Sequence, residues 1–289
     1  MLDLLAPDPR LSSLQRDWTY TPTPAGARNG ASRLLHRVRH RERAPETAVL
    51  RAPTGAARPW TIYFAFTPTG QADPVHRETL DRLRALGRPI LTVCAAPGAR
   101  DVPEDIARRS DALVWKARSG FDFSAYAAGL WLLARCCPGS DALVLNDSLF
   151  GPLTDLRPWL AAMRWDLTAF TASANVENHI QSYAFHLRGV TPERMRALAP
   201  VLPTGFAYQV FWAVVFMQET RFARVAARRT SVGSLLYAPQ RTADPLLDLP
   251  LPLAQSGFPF LKRSLLGKFG HLYPAEEVRA TLRASGYPL

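Results

Sequence analysis

Lysine is nearly missing from this chain. Of its 35 lysine and arginine residues only Lys116, Lys262 and Lys268 are lysines. Such a skew, beside abundant alanine and proline, fits a GC-rich genome as well as a demand for charge. The formal net charge of +11 therefore favours anionic partners (phosphates, nucleotides or an acidic membrane surface) without choosing among them. Cysteine is scarce too. Cys94, Cys136 and Cys137 are odd in number and have no CxxC spacing, which excludes a disulfide framework or a zinc site and points to reduced thiols in a cytosolic protein. There is no GxxxxGK[ST], GxSxG, HExxH or strand-borne GxGxxG, so the corresponding phosphate-loop, hydrolase, zincin and dinucleotide chemistries drop out. The arginines form no stripe interleaved with aromatics, and no nucleic-acid partner is expected. The opening MLDLLAPDPR lacks a basic stretch leading into an apolar one, so no secretory signal is expected. The most apolar window, FAYQVFWAVVFM at 206–217, is too short to span a bilayer and reads as a buried helix.

What is present suffices for one large core: 289 residues, 47% of them hydrophobic. Residues 1–58 read as a Pro/Arg-rich N-terminal extension and 59–289 as an α/β domain. Within the extension, RLLHRVRHRER at 33–43 offers a narrow stripe of Leu34, Leu35 and Val38. That pattern suits a solvated helix or arm, or a short basic helix making peripheral contact with an anionic membrane. From Trp60 onward, strands alternate with helices. TIYFAF (61–66), PILTVCAA (89–96), DALVW (111–115), DLTAFTAS (166–173) and HIQSYAFHL (179–187) read as strands, and 75–87 and 123–135 as helices. The alternation implies a largely parallel sheet flanked by helices, whose ligands sit beyond the C-terminal strand ends.

Two polar clusters fall at such ends. In DALVLNDSLFGPL (141–153) an apolar strand delivers Asn146, Asp147 and Ser148 together before Gly151-Pro152 stops it. Asp147 could hold magnesium or manganese against a diphosphate, with Asn146 and Ser148 as neutral partners. An Asx turn capping the strand's own backbone accounts for the triplet equally well. One strand earlier, in RSGFDFSAY (118–126), Arg118 suits a phosphate and Gly120 a close backbone approach, while Asp122 opens the next helix, as an N-cap or as a neighbour of Asp147. In HIQSYAFHL a continuous strand would put His179, Gln181 and Tyr183 on one face and His186 on the other. His179 is a candidate base or a hydrogen-bonded rim residue.

The order of these segments, RSGFDFSAYAAGL, DALVLNDSLFGPL, FTAS, HIQSYAFHL, QVFW and SGFPFLKRSLL, resembles the rhamnan synthesis protein F family of bacterial polysaccharide assembly. The resemblance spans about residues 60–270. It departs at Ser119, where the family tends to have Asn, and at Thr168-Ala169, where it tends to have Trp-Gly. It implies a glycosyltransferase A-type, Rossmann-like fold and transfer of rhamnose or a similar deoxyhexose from a thymidine-diphosphate donor to a cell-surface polysaccharide or lipid-linked acceptor. The setting implied is cytoplasmic, at the inner face of the membrane. On this basis Asp147 binds donor and cation, and Arg118, Gly120, Asp122, Asn146 and Ser148 line the nucleotide or donor side. His179, Gln181, Ser182 and Lys262 line the acceptor side, with Asp147 and His179 carrying the catalysis. The alternative is a non-catalytic glycan-assembly protein of the same fold.

Overall fold

The computed structural model describes residues 4–23 and 27–288. Ten strands form one sheet: β1 (Gln15–Thr19), β2 (Thr47–Arg51), β3 (Trp60–Phe66), β4 (Ile90–Ala95), β5 (Ala112–Lys116), β6 (Ser140–Asn146), β7 (Leu167–Ser173), β8 (His179–Ile180), β9 (Ala184–Val190) and β10 (Val232–Ala238). Their order is β1-β10-β7-β9-β6-β3-β4-β5-β2, with β8 paired to β7. Strands β3 to β7 and β10 share one direction, β9 runs antiparallel between β6 and β7, and both edge strands are antiparallel to their neighbours. This is the mixed, mainly parallel, Rossmann-like sheet expected.

Side-chain alternation divides the core. Ile62, Phe64, Leu91, Val93, Val114 and Val144 face one layer, and Tyr63, Ala65, Ile90, Cys94, Leu113 and Leu145 face the other. The first layer is covered by α3 (Asp122–Cys136) and the helical run 211–226, and the second by α2 (Pro74–Arg84). Strand β3 lies between β4 and β6, so the chain leaves it to one side, then returns to the other. That reversal between β3 and β6 is the crevice where open α/β sheets take their ligands. Asp73 starts α2 by accepting the Val75 N–H at 2.8 Å, with Pro74 in the first turn.

Three expectations need correction. The HIQSYAFHL segment is not one strand: β8 ends at Ile180, Gln181–Tyr183 turn, and β9 begins at Ala184. Side-chain alternation therefore does not run through it. The 206–217 window is not one buried helix either. Phe206–Tyr208 is a short strand paired with Arg41–Arg43, the helix starts at Phe211, and Phe211 and Trp212 are exposed. Finally, the boundary at 58/59 marks no structural separation. The N-terminal segment supplies both edge strands, β1 and β2, and Trp18 of β1 stacks on Tyr237 of β10 with ring centroids 4.3 Å apart. Helix α1 (Ala27–Arg39) is anchored by Arg33, which pairs with the buried Glu177 and donates to the Phe216 carbonyl at 3.1 Å. Leu34 and Leu35 are exposed, while the Val38 side chain lies outside the described residues.

Integration of residues 1–58 can be measured. Trp18→Ala removes a buried ring from the β1–β10 junction and should lower stability by about 3–5 kcal/mol, read as a shift in the urea midpoint. A change under about 0.5 kcal/mol, the size of a surface substitution, would mean that β1 is dispensable.

Candidate functional site

The site begins with the strand-end polar triplet. Asp147 follows the last residue of β6, and its Oδ2 accepts the N–H of Phe66 at the end of β3, 2.8 Å away. One carboxylate thus ties the two strand ends across the crevice. His76 of α2 faces the same oxygen, its Nε2 3.8 Å away. Arg263 donates to the Asp147 carbonyl at 3.2 Å and to the Asp73 carboxylate at 2.6 Å. Burial raises the Asp147 pKa above the usual carboxylate value, against the pull of His76 and the Phe66 N–H.

Asn146 does two jobs. Its side-chain carbonyl accepts both the backbone N–H and the hydroxyl of Ser148, at 3.2 and 2.5 Å, which is the Asx turn anticipated. Its amide donates to Asp122 Oδ2 at 3.0 Å. The expected adjacency of Asp122 to the β6 end is therefore present, with Asn146 as the bridge. Asp122 occupies the first turn of α3, where it also accepts its neighbour's N–H from Phe123 at 2.9 Å. Burial, then the charges of Glu219 and Asp147, raise its pKa to about 6, opposed by the Asn146 and Phe123 hydrogen bonds.

The loop before Asp122 is held from below by Lys116, the last residue of β5. This lysine is fully buried, and its ammonium donates to the carbonyls of Ala117, Ser119 and Gly120 at 3.0, 2.6 and 2.9 Å. Three donors meet three acceptors, yet burial still lowers its pKa to about 8. Gly120 has φ +67°, and a Cβ there would stand 2.8 Å from the Ser124 hydroxyl and 3.0 Å from Ala207. The tight loop leaves Arg118 exposed at the crevice rim, donating to the Pro68 carbonyl at 3.2 Å.

The second half of the site is a chain of polar groups beyond β7 and β8. Glu219 lies in a π-helical turn, Val215–Glu219, and accepts both the N–H and the hydroxyl of Ser182, at 3.1 and 2.8 Å. Gln181 and Tyr183 converge on the Thr171 hydroxyl, each at 2.6 Å. His179 is buried, with Nδ1 against the Glu177 carbonyl at 2.8 Å. In the neutral ring that contact places the proton on Nδ1 and the lone pair on Nε2, and burial lowers the ring's pKa against the opposing pull of Glu219, Asp244 and the Asn175 backbone. Lys262 is bound to the Asp244 carboxylate at 2.7 Å. The halves join through Tyr126, whose hydroxyl donates to the Ser182 carbonyl at 2.9 Å and lies 3.4 Å from Asp122.

The segments of the resemblance interlock physically. Gly151 has φ +141°, and a Cβ on it would come within 2.5 Å of the Pro259 carbonyl oxygen. Leu149–Phe150 pairs with Leu261–Lys262. The Gly-Pro stop after Asp147 thus seats the GFPF segment, and Phe258 and Phe260 are fully buried core residues.

Sequence reading missed Glu219, Asp244, Arg263 and His76. Arg263 sits in the GFPFLKR segment beside Lys262; the others stand alone in segments with no repeating signal. Among the described residues no group of three or more His, Cys, Asp or Glu side chains is arranged to hold a metal ion by itself. A magnesium-type ion needs only one or two protein carboxylates when a diphosphate and water complete its shell. Asp147, with Asp122 within electrostatic reach, fits that smaller requirement.

No family model matches the chain, and no curated protein matches it significantly. Several solved structures overlap it in part. HddC from Yersinia pseudotuberculosis is 8% identical, covering 62% of this chain and 91% of its own, at TM-score 0.37. The inositol-1-phosphate CTP transferase from T. maritima is 12% identical, covering 71% and 98%, at TM-score 0.40. Glucosyl-3-phosphoglycerate synthase from Mycobacterium tuberculosis, in complex with Mn2+, UDP and glucosyl-3-phosphoglycerate, is 12% identical, covering 80% and 81%, at TM-score 0.38. At these scores the chemistry of this chain has to be read from its own residues.

The raised pKa of Asp122 has a direct consequence for stability. The folded chain binds this proton more tightly, with a value of about 6 against 3.8 for the free side chain. Its contribution is therefore fully present below about pH 4 and is lost as pH rises through about 6, by up to roughly 3 kcal/mol. Urea midpoints between pH 4 and 7 should show this fall in the parent and a shallower slope in Asp122→Asn. Equal slopes would mean that Asp122 titrates as an ordinary carboxylate.

Proposed function

We propose that the chain is a glycosyltransferase using a nucleotide-diphosphate sugar. One observation carries the reading: two carboxylates with raised proton affinity, Asp147 and Asp122, stand at the crevice of a mixed α/β sheet, with Arg118 and Arg263 at its margin. A diphosphate there needs cations around it. Asp147 would hold a divalent ion, Mg2+ or Mn2+, which supplies charge neutralisation for the departing nucleoside diphosphate. Arg118 and Arg263 act on the same phosphates. Asn146 and Ser148 position the carboxylates through their hydrogen bonds, and Gly120 keeps backbone close to the nucleotide.

Sugar and acceptor then belong to the half formed by His179, Gln181, Ser182 and Glu219. The neutral His179 ring, with Nε2 unprotonated, is a base able to take the proton of an acceptor hydroxyl. Lys262 does not face the diphosphate freely, because Asp244 neutralises it; it shapes the acceptor side. The motif resemblance to the rhamnan synthesis protein F family supports rhamnose or a similar deoxyhexose as the sugar, a thymidine-diphosphate carrier, and a cell-surface polysaccharide or lipid-linked glycan as acceptor. Among the described residues no helix is long and apolar enough to cross a membrane. Exposed Phe121, Phe211 and Trp212 beside the donor loop, with Lys268 5.3 Å above the Phe211 ring, favour peripheral contact with a membrane that carries the acceptor.

Thermal unfolding with nucleoside diphosphates and nucleotide sugars, with and without Mn2+ or Mg2+, tests the reading. At a hundred times its dissociation constant a ligand stabilises the fold by about 2.7 kcal/mol. A thymidine-diphosphate compound with Mn2+ should give such a shift at pH 7 and a smaller one near pH 5, where protons compete for Asp122. Asp147→Asn should keep the fold, lose the cation-dependent part, and lower transfer on the order of 10²–10³-fold. A parent chain indifferent to every nucleotide, or an Asp147→Asn chain with full transfer, would favour a non-catalytic binding protein instead.

A further inference from the structure

The arginine-rich segment 33–43 has a role that the donor site leaves unused. Helix α1 and the strand Arg41–Arg43 pack beside the helical run 211–226, and between them lies a cavity of about 490 Å3. Four guanidiniums line it, those of Arg33, Arg37, Arg41 and Arg221, together with the rings of Phe206 and Tyr208. Their charges are poorly matched. The buried Glu177 serves Arg33 and Arg224. Among the described residues Arg37, Arg41 and Arg221 have no carboxylate partner: Arg221 donates to the Met217 carbonyl at 3.1 Å, and Arg41 lies over the Phe206 ring at 3.8 Å. Like charge presses on the two more buried members, Arg33 and Arg221. Burial lowers the pKa of Arg221 and of Arg33, the latter to about 10, and neighbouring arginines lower both further. A fold that gathers this much like charge around a cavity gains stability when an anion enters it, and guanidinium forks match phosphate oxygens in pairs.

We infer that this cavity is a second ligand site, separate from the strand-end carboxylates, which takes a phosphate or diphosphate ester: phosphate oxygens between Arg37, Arg41 and Arg221, and the ester's organic body against Phe206 and Tyr208. The sign of the charge separates the two sites. Carboxylates line the crevice and call for a cation with their diphosphate, whereas the cavity is cationic already and binds its anion without a metal.

Isothermal titration of the full chain with inorganic pyrophosphate, without divalent ions and at low salt, tests the site. Sedimentation with phosphatidylcholine vesicles with and without phosphatidic acid distinguishes a free phosphate ester from a lipid headgroup. Arg37 and Arg41 are exposed, so Arg37→Gln/Arg41→Gln should fold. Metal-free pyrophosphate binding that weakens at least tenfold in the double variant, and stays unchanged in Arg118→Gln, supports a soluble ester. Binding only to phosphatidic-acid vesicles, lost in the double variant, supports a headgroup. No binding of either probe, or binding equal in parent and double variant, overturns the inference, and leaves the Mn2+-dependent nucleotide response to stand or fall separately.

Discussion

The hydrogen bond from the Phe66 N–H to the Asp147 carboxylate is the constraint around which the site is organised. In a parallel sheet the two strands that flank a topological reversal have no further partner for their last backbone groups on the crevice side. A carboxylate at that point satisfies one of them and closes the gap. The cost is desolvation, which raises the proton affinity of Asp147 and, through Asn146, brings Asp122 into the same environment. An apolar residue would leave the Phe66 N–H unpaired, and an asparagine would satisfy it without charge. Charge at this place therefore exceeds what folding asks for, and a cationic or protonated ligand is what it suits.

The rest of the site follows from keeping that pair in place. Lys116 fixes the loop that leads into Asp122 by occupying three of its carbonyls. Arg263 bridges the Asp147 backbone to Asp73 at the head of α2. Tyr126 joins Asp122 to the Ser182 turn, and Glu219 receives that turn from the opposite side. The N-terminal segment reaches the same region: Thr23 accepts the Asn178 N–H at 2.9 Å, and Asn178 donates to the Thr21 carbonyl at 2.9 Å, just before His179. An apparent appendage thus braces the half of the site that holds His179.

Legibility in the sequence tracked the range of the interactions. The sheet class, the central strands and the strand-end placement of Asp147 and Asp122 were readable, because apolar runs and turn residues are local signals. The HIQSYAFHL break was not, since each of its residues tolerates a strand and only pairing to β7 decides where β8 stops. Nor was the fate of residues 1–58. Their edge strands are short and mostly exposed, and pairings such as Trp18 with Tyr237 span more than two hundred residues of chain. Lys262 illustrates the same limit within the site. As a residue type it suits a diphosphate; only the fold reveals Asp244 beside it. Glu219 and His76 carry no motif at all, and their part comes entirely from what packs against them.

The helical run 211–226 separates two electrostatic environments. Glu219 points to the Ser182 turn and acts on Asp122 and His179, while Met217 and Arg221, two residues to either side, line the arginine cavity. Residues two apart on a helix face different directions, so one element presents a carboxylate to the crevice and a guanidinium to the cavity. The turn that carries Glu219 is π-helical, which shifts the register of the face that follows it. A regular helix through 215–219 would rotate Glu219, Arg221 and Arg224 together relative to Phe211–Val214, and Arg224 is the residue that shares Glu177 with Arg33 of α1. The irregular turn thus sets the facing of Glu219 and Arg224 together, so that one helical run reaches both the Ser182 turn and the N-terminal segment.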